Sequence, residues 1–312
     1  CGETKIMNLI KTITDNIERV IFGKKKAVEE LAAAFLAGGH VLIEDVPGVG
    51  KTKLADALAR SIDGRFNRLQ LTPDIMPSDI TGFSIIDKES GNLTYKPGAA
   101  DCNILLADEI NRASPKTQSA LLEVMEEHQI SLDGVTHPLP SPYMVIATEN
   151  PVETYGTYHL PEAQMDRFAI KMSIGYPDSS TELKILSENE FSPPEISPVI
   201  TAEEAVKLIE SVKYIKASEN LREYITRVSA ATRDNDLIRL GVSPRGSLTL
   251  LKISKSFAAI DSRDYITPDD IKRAAMITLP HRITLSQKGK TAYKNAAEAI
   301  AFILETVTVP KE

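Results

Sequence analysis

The sequence predicts an α/β fold, a five-stranded mostly parallel sheet between helices, continued by a smaller all-α domain. Three observations predict it. Over residues 1–177 short apolar runs alternate with stretches of helical periodicity, the pattern of a sheet covered by helices on both faces. After Tyr176-Pro177 only helical periodicity continues, which divides the chain into 1–177 and 178–312. The length of 312 residues also exceeds what one hydrophobic core usually organises.

Strands are expected at residues 40–44, 66–70, 103–107, 143–148 and 168–172, and helices between them at 24–37, 51–62 and 115–128. In the last of these helices Leu121, Leu122, Val124 and Met125 form an apolar stripe. Two insertions read as hairpins outside the sheet. One pairs 83–86 with 93–96 across a turn-rich segment; the other pairs 129–132 with 135–139 across Asp133-Gly134, a strong two-residue turn signal. Hairpins displayed beyond a rigid scaffold are where a working surface is expected. In the second part, helices are expected at 180–189, 202–212, 219–234, 245–260, 268–276 and 290–305, interrupted by a Ser/Pro-rich stretch at 192–198. Thr201 with Glu204 forms a capping box, and Ser243-Pro244 supplies an N-cap followed by Pro at the first helical position. No period of repeat length recurs, which argues against a solenoid.

Composition narrows the function classes. The hydrophobic share of 42% and charged share of 25% are those of an ordinary globular protein. A net charge of -7 argues against a protein that coats a phosphate backbone. Two cysteines, Cys1 and Cys102, make no disulfide framework and point to a reducing compartment. No run is long and apolar enough to span a bilayer and no secretory leader opens the sequence, so a cytoplasmic location without membrane insertion is expected. The chain begins at Cys1 rather than Met, and residues upstream of it are expected.

The chemistry is concentrated at three strand ends. The first strand runs into Asp45-Val46-Pro47-Gly48-Val49-Gly50-Lys51-Thr52 and then into a helix. Phosphate binding requires this order, because the N–H groups of the loop converge on phosphate oxygens and the helix N-terminus adds partial positive charge. Val46, Pro47, Gly48, Val49, Gly50, Lys51, Thr52 and Lys53 are the cradle residues, with Lys51 directed to the β and γ phosphates and the Thr52 hydroxyl to Mg²⁺. The generic eight-residue loop begins with Gly, where this chain has Asp45. Asp tolerates left-handed backbone, so the turn is expected to survive. A second strand ends in Asp108-Glu109, placing two carboxylates at the edge where open α/β sheets bind ligands. Asp108 suits Mg²⁺, and Glu109 suits orientation of an attacking water. A third strand ends in Glu149-Asn150-Pro151, which brings the Asn150 amide beside the two carboxylates.

With these motifs in this order, the chain resembles the AAA+ ATPases and, more narrowly, the MoxR family. The stretches that carry the resemblance are the loop at 45–52, Ala107-Asp108-Glu109-Ile110-Asn111-Arg112-Ala113, Ala147-Thr148-Glu149-Asn150-Pro151, Leu160-Pro161-Glu162-Ala163-Gln164-Met165-Asp166-Arg167-Phe168 and Val242-Ser243-Pro244-Arg245. The resemblance covers nearly the whole chain. It implies an AAA+ αβα sandwich with a helical lid, and ATP with Mg²⁺ as ligands. It also makes Asn150 the first sensor, Arg245 the second, and Arg167 an arginine finger aimed at a neighbouring subunit's γ phosphate. Arg112 matches a further intersubunit polar position. Val20, Ile21, Phe22 and Gly23 match the adenine-side segment, although core packing explains that segment equally well. From the residues alone, an ion pair between Arg167 and Asp166 or Glu162 is the alternative to a finger. Arg245 sits in the first turn of its helix, where the helix dipole disfavours a cation, which hints at a purpose other than helix stability.

The resemblance further implies a homo-oligomeric ring, a hexamer, acting on a protein client with a partner that carries a von Willebrand factor A domain. The expected function is Mg²⁺-dependent ATP hydrolysis driving chaperone-like remodelling. A nucleic-acid-linked AAA+ motor and a non-hydrolysing ATP-binding scaffold are the alternatives. The segment 128–142 has no Lys or Arg, which disfavours the motor. The intact Lys51, Asp108, Glu109 and Asn150 disfavour the scaffold. His40, His128, His137, His159 and His281 show no metal-site spacing, so metal is expected only with nucleotide.

Overall fold

The computed structural model of the protein describes residues 2–88, 91–151, 156–189 and 195–310. Residues 192–194 of the Ser/Pro-rich stretch and residues 89–90 of the first hairpin turn lie outside them. The first part comprises α1 (Gly2–Glu18), α2 (Lys25–Leu36), β1 (Val41–Glu44), α3 (Lys51–Ser61), β2 (Phe66–Gln70), α4 (Pro77–Thr81), β3 (Phe83–Ile86), β4 (Leu93–Lys96), β5 (Ile104–Asp108), α5 (Pro115–Glu127), β6 (Gln129–Leu132), β7 (Val135–Pro138), β8 (Met144–Glu149), α6 (Glu162–Met165) and β9 (Ile170–Met172). Helix α1 was not anticipated, although Ile10, Ile13 and Ile17 supply a helical stripe that is fully buried.

The main sheet has the order β2-β5-β8-β1-β9 with every pairing parallel. Side-chain alternation sorts its strands into two cores. Val41, Ile43, Ile104, Leu106, Met144 and Ile146 face one, shared with α1, α2 and α3. Leu42, Leu105, Ala107, Val145 and Ala147 face the other, closed by Leu121, Leu122, Val124 and Met125 of α5. Strands buried on both faces read as continuous apolar runs, which is why β5 and β8 were legible. Because β1 lies between β8 and β9, strand order reverses beside it, and the carboxyl ends of β1, β5 and β8 become the edge at which open α/β sheets hold their ligand crevice.

The hairpins β3–β4 and β6–β7 form their own two-stranded ladders. They are joined to each other where the Tyr95 ring stacks on His137, centroids 3.9 Å apart. The first hairpin displays Phe83, Ile86 and Leu93, which are 52%, 69% and 62% exposed.

The second part contains α7 (Ser179–Asn189), α8 (Ala202–Val212), α9 (Glu219–Arg233), β10 (Ile238–Leu240), α10 (Pro244–Ile260), α11 (Pro268–Thr278), β11 (Thr284–Leu285), α12 (Gln287–Ala292) and α13 (Ala296–Thr306). Both anticipated caps form: Thr201 Oγ1 accepts from Glu204 N, and Ser243 Oγ accepts from Gly246 N at 3.1 Å. The expected helix at 290–305 is two helices, because Asn295 takes an extended backbone and its side chain accepts from Glu298 N at 2.9 Å, starting α13 afresh. A short ladder, β10 with β11, is added to the helices. Helix α10 packs on α2 and α1, and Leu250, Ile253 and Phe257 join the same core as Val28 and Leu31. The lid and the first part are therefore welded through one continuous core.

Candidate active site

Between β1 and α3 the loop turns through Gly48 and Gly50, at φ +84 and +95, where any other residue would be strained. No neighbour crowds either position, so the requirement is conformational. Asp45 is not among the residues with positive φ, which corrects the expectation that it substitutes for Gly by tolerating left-handed backbone. Its carboxylate works instead as an anchor. Oδ2 accepts from Ser173 Oγ at 3.0 Å and from the N–H groups of Ile174 and Gly175, both at 2.7 Å. Oδ1 accepts from Val46 N at 2.9 Å. Asp45 thereby fastens the phosphate loop to the segment after β9 that leads into the lid. The Lys51 ammonium donates to the Asp45 carbonyl at 2.9 Å, folded over the loop it would leave for a phosphate.

Burial alone would raise the Asp45 carboxyl, but the hydrogen bonds from Gly175, Ile174, Ser173 and Val46 together hold it below the ordinary range. A carboxylate depressed in the folded state stabilises the fold above its unfolded pKa, near 3.8, and that contribution disappears as pH falls through the folded value. Asp45→Asn is expected to lower the unfolding free energy at pH 7 by about 1.5–3 kcal/mol. The gap from the parent should narrow as urea titrations are taken to acid pH; a gap independent of pH would remove the carboxylate charge from the explanation.

At the end of β5, Asp108 Oδ1 accepts from Thr148 Oγ1 at 2.6 Å, and Oδ2 accepts from Arg68 Nη2 at 2.7 Å. Thr148 Oγ1 also accepts from Glu109 N at 2.9 Å. One hydroxyl on β8 thus ties both acidic residues to the neighbouring strand. Glu109 has φ 58 and ψ 55, a left-handed conformation uncommon for a residue with a Cβ. Strain of this kind persists only where surrounding contacts impose it, and it gathers at sites of chemistry. The Glu109 carboxylate lies 3.3 Å from Arg112 Nη1 of its own chain. Asn150 is buried directly after β8, at the same edge. Val20 and Ile21 are buried in the core, while Phe22 is partly exposed with the Lys184 ammonium 4.6 Å over its ring and the Lys53 ammonium 6.0 Å from it. The segment 20–23 consequently touches both α3 and α7.

Thr52 in the first turn of α3 and the Asp108 carboxylate are oxygen donors suited to Mg²⁺. Mg²⁺ bound there would neutralise charge on the phosphate oxygens. Among the described residues no His/Cys/Asp/Glu cluster has the make-up of a separate metal site.

Arg167 and Arg245 are elsewhere. His40, at the start of β1, accepts from Val145 N through Nδ1 at 2.9 Å, pairs with the Met125 carbonyl through Nε2 at 2.8 Å, and receives Ala169 N on its own carbonyl. Burial, followed by the charges of His128 and Arg245, holds it down at about 4, a neutral ring at pH 7 that donates from Nε2. This knot joins the amino ends of β1 and β8, the end of α5 and the approach to β9. On it lie Arg167, 3.2 Å from Glu126 Oε2, and Arg245, 3.3 Å from Glu126 Oε1. The partners considered from sequence are engaged otherwise: Asp166 with Arg282 Nε at 2.7 Å and Ser243 Oγ at 2.9 Å, and Glu162 with Arg239 and Thr284. Arg282, almost wholly buried, also donates to the carbonyls of Asp166, Phe168, Ala169 and Thr278, fixing the backbone around Arg167 to the lid. The four residues of β1, at about 3.3 Å each, put roughly 13 Å of strand between this knot and the phosphate loop. Arg68, Thr148, Glu126 and Arg282 were not singled out from the sequence, since nothing local marks a polar residue whose partner is distant in the chain.

A phosphate loop, an acidic pair, a polar strand end and a helical lid welded to the sheet define an ATPase of the AAA+ class. Residues 40–170 match the family model described as ATPase family associated with various cellular activities (AAA), and 230–303 match that of the AAA lid domain. The uncharacterized protein YeaC of Bacillus subtilis is 47% identical over 304 residues, covering 97% of this chain and 95% of YeaC. Chaperone MoxR1 of Mycobacterium tuberculosis is 38% identical over 304 residues, 95% of this chain and 81% of MoxR1. The crystal structure of a Cytophaga hutchinsonii protein provisionally assigned as an ATPase superposes with a TM-score of 0.92 at 35% identity, covering 99% of this chain and 97% of that one. The chain belongs to the MoxR family of AAA+ ATPases.

Proposed function

We propose that the chain hydrolyses ATP with Mg²⁺ at the interfaces of a ring of identical subunits and uses the cycle for chaperone-like remodelling of a protein client. Within one chain, Lys51, Thr52, Asp108, Glu109 and Asn150 bind and activate, with Val46–Lys53 cradling phosphates and Val20, Ile21, Phe22 and Gly23 on the adenine side. The observation that carries the reading is the separation of Arg167 and Arg245 from that crevice by the length of β1. Neither arginine serves its own chain's γ phosphate from there, so a second copy has to present its crevice to them. A head-to-tail contact that closes generates a ring. Six subunits, a cytoplasmic location and a partner with a von Willebrand factor A domain complete the proposal, as does the two-domain division at 177/178. The name of the relative MoxR1 supports the chaperone role. The exposed apolar residues of β3–β4 favour a protein client over nucleic acid, as does the lack of Lys and Arg across 128–142. No helix among the described residues is long and apolar enough to cross a membrane.

The test is steady-state ATP hydrolysis against protein concentration in the presence of Mg²⁺. Specific activity is expected to climb as subunits assemble and then level off. Specific activity that stays flat across the range in which light scattering reports assembly would exclude interface-dependent hydrolysis.

A further inference from the structure

One carboxylate holds both distant arginines. Glu126 stands in the last turn of α5 with Arg167 Nε on one oxygen and Arg245 Nη1 on the other. Arg167 comes from the strand approach to β9 and Arg245 from the first turn of α10, so Glu126 gathers cations from the sheet and the lid at one point. The side chains are 31%, 47% and 41% exposed for Arg167, Arg245 and Glu126. Pairs so exposed contribute little to fold stability and break readily when a stronger anion arrives. A phosphate group is such an anion, and Arg matches its oxygens with a planar fork. Beyond Glu126 the chain passes through His128, in a left-handed conformation, straight into the β6–β7 hairpin.

We propose that Glu126 is a latch: it parks Arg167 and Arg245 in the absence of a neighbour's nucleotide and competes with that nucleotide's γ phosphate for them. Release of both cations then removes the ion pairs that tie the last turn of α5, beside the hairpin, to the lid and to the approach to β9. This inference rests on the reading that the two arginines act across the interface. Glu126 is a positioning residue, since it meets the nucleotide only through them.

The experiment uses mixed rings of two full-length variants. Arg167→Ala/Arg245→Ala subunits hold ATP but offer no arginine, and Lys51→Ala subunits offer arginines but hold no ATP. All turnover in the mixture then comes from interfaces between the two kinds. Adding Glu126→Gln to the arginine-offering subunits is expected to lower the ATP concentration at half-maximal turnover by about two- to five-fold, the scale of losing exposed ion pairs. The maximal rate should stay within roughly two-fold, because the arginines reach the same final position. The same substitution in the ATP-holding subunits should change neither value. An unchanged or raised half-saturation in the first mixture overturns the latch, as does an equal shift from either subunit, which would mark a structural effect. If the mixture without Glu126→Gln shows no turnover, the cross-interface reading fails instead, and the two failures are separable.

Discussion

Glu109→Gln is expected to reduce ATP turnover by about 10²–10⁴ while nucleotide binding stays near that of the parent, because what the substitution removes is the capacity to accept a proton. The geometry makes the comparison clean. The left-handed backbone at Glu109 is maintained by the hydrogen bond from its own N–H to Thr148 Oγ1, which the side-chain change does not touch. Gln has the same length and keeps one oxygen for Arg112, 3.3 Å from Oε2 in the parent. Lys51 and Asp108, proposed above to meet the phosphates and Mg²⁺, are unaltered. The measurement is hydrolysis and binding of a fluorescent ATP analogue on the same preparation. Lost turnover with retained binding assigns Glu109 to the chemical step. Turnover within about two-fold of the parent would remove it, and a parallel loss of binding would make its role one of site integrity.

How far this site was legible in the sequence follows from which contacts are local. The phosphate loop, the acidic pair and Asn150 each end a strand, and strands buried on both faces announce themselves as apolar runs, so the sequence itself places the residues at their ends on one edge of the sheet. The hairpin ladder Phe83–Ile86 with Leu93–Lys96 was equally plain, since its turn and its alternation lie within one short segment. Contacts between distant segments were not visible. Asp45 looked like a tolerated departure from a glycine pattern, whereas its carboxylate serves residues 173–175, which only the pairing of β1 with β9 brings near. Glu126 looked like one more solvated helix charge; its partners are 41 and 119 positions away, at Arg167 and Arg245. The break between α12 and α13 was hidden because apolar periodicity continues across it, while the capping bond of Asn295 depends on an extended backbone that periodicity does not encode.

The same separation decides the outcome for Arg167→Ala. If Arg167 stabilises charge on a neighbour's transferred phosphoryl group, its loss should cut assembled turnover by about 10³–10⁵, the range for arginine fingers in comparable enzymes. ATP binding by the dilute chain should be unaffected, because in one chain the guanidinium faces Glu126 at the amino edge of the sheet and not Lys51 at the carboxyl edge. Mixing supplies the sharper test. In a head-to-tail ring assembled at random from equal amounts of Arg167→Ala and Lys51→Ala subunits, about one interface in four combines an intact phosphate loop with an intact finger. Two preparations that are each nearly inactive should therefore regain roughly a quarter of parental turnover when combined under exchange. Recovery on that scale requires the arginine and the lysine of one site to come from different chains. Arg167→Ala protein that fails to recover despite demonstrated subunit exchange would return the residue to a structural role beside Glu126, and the loss of turnover would then have to be traced through the Arg282 network that fixes the backbone on either side of it.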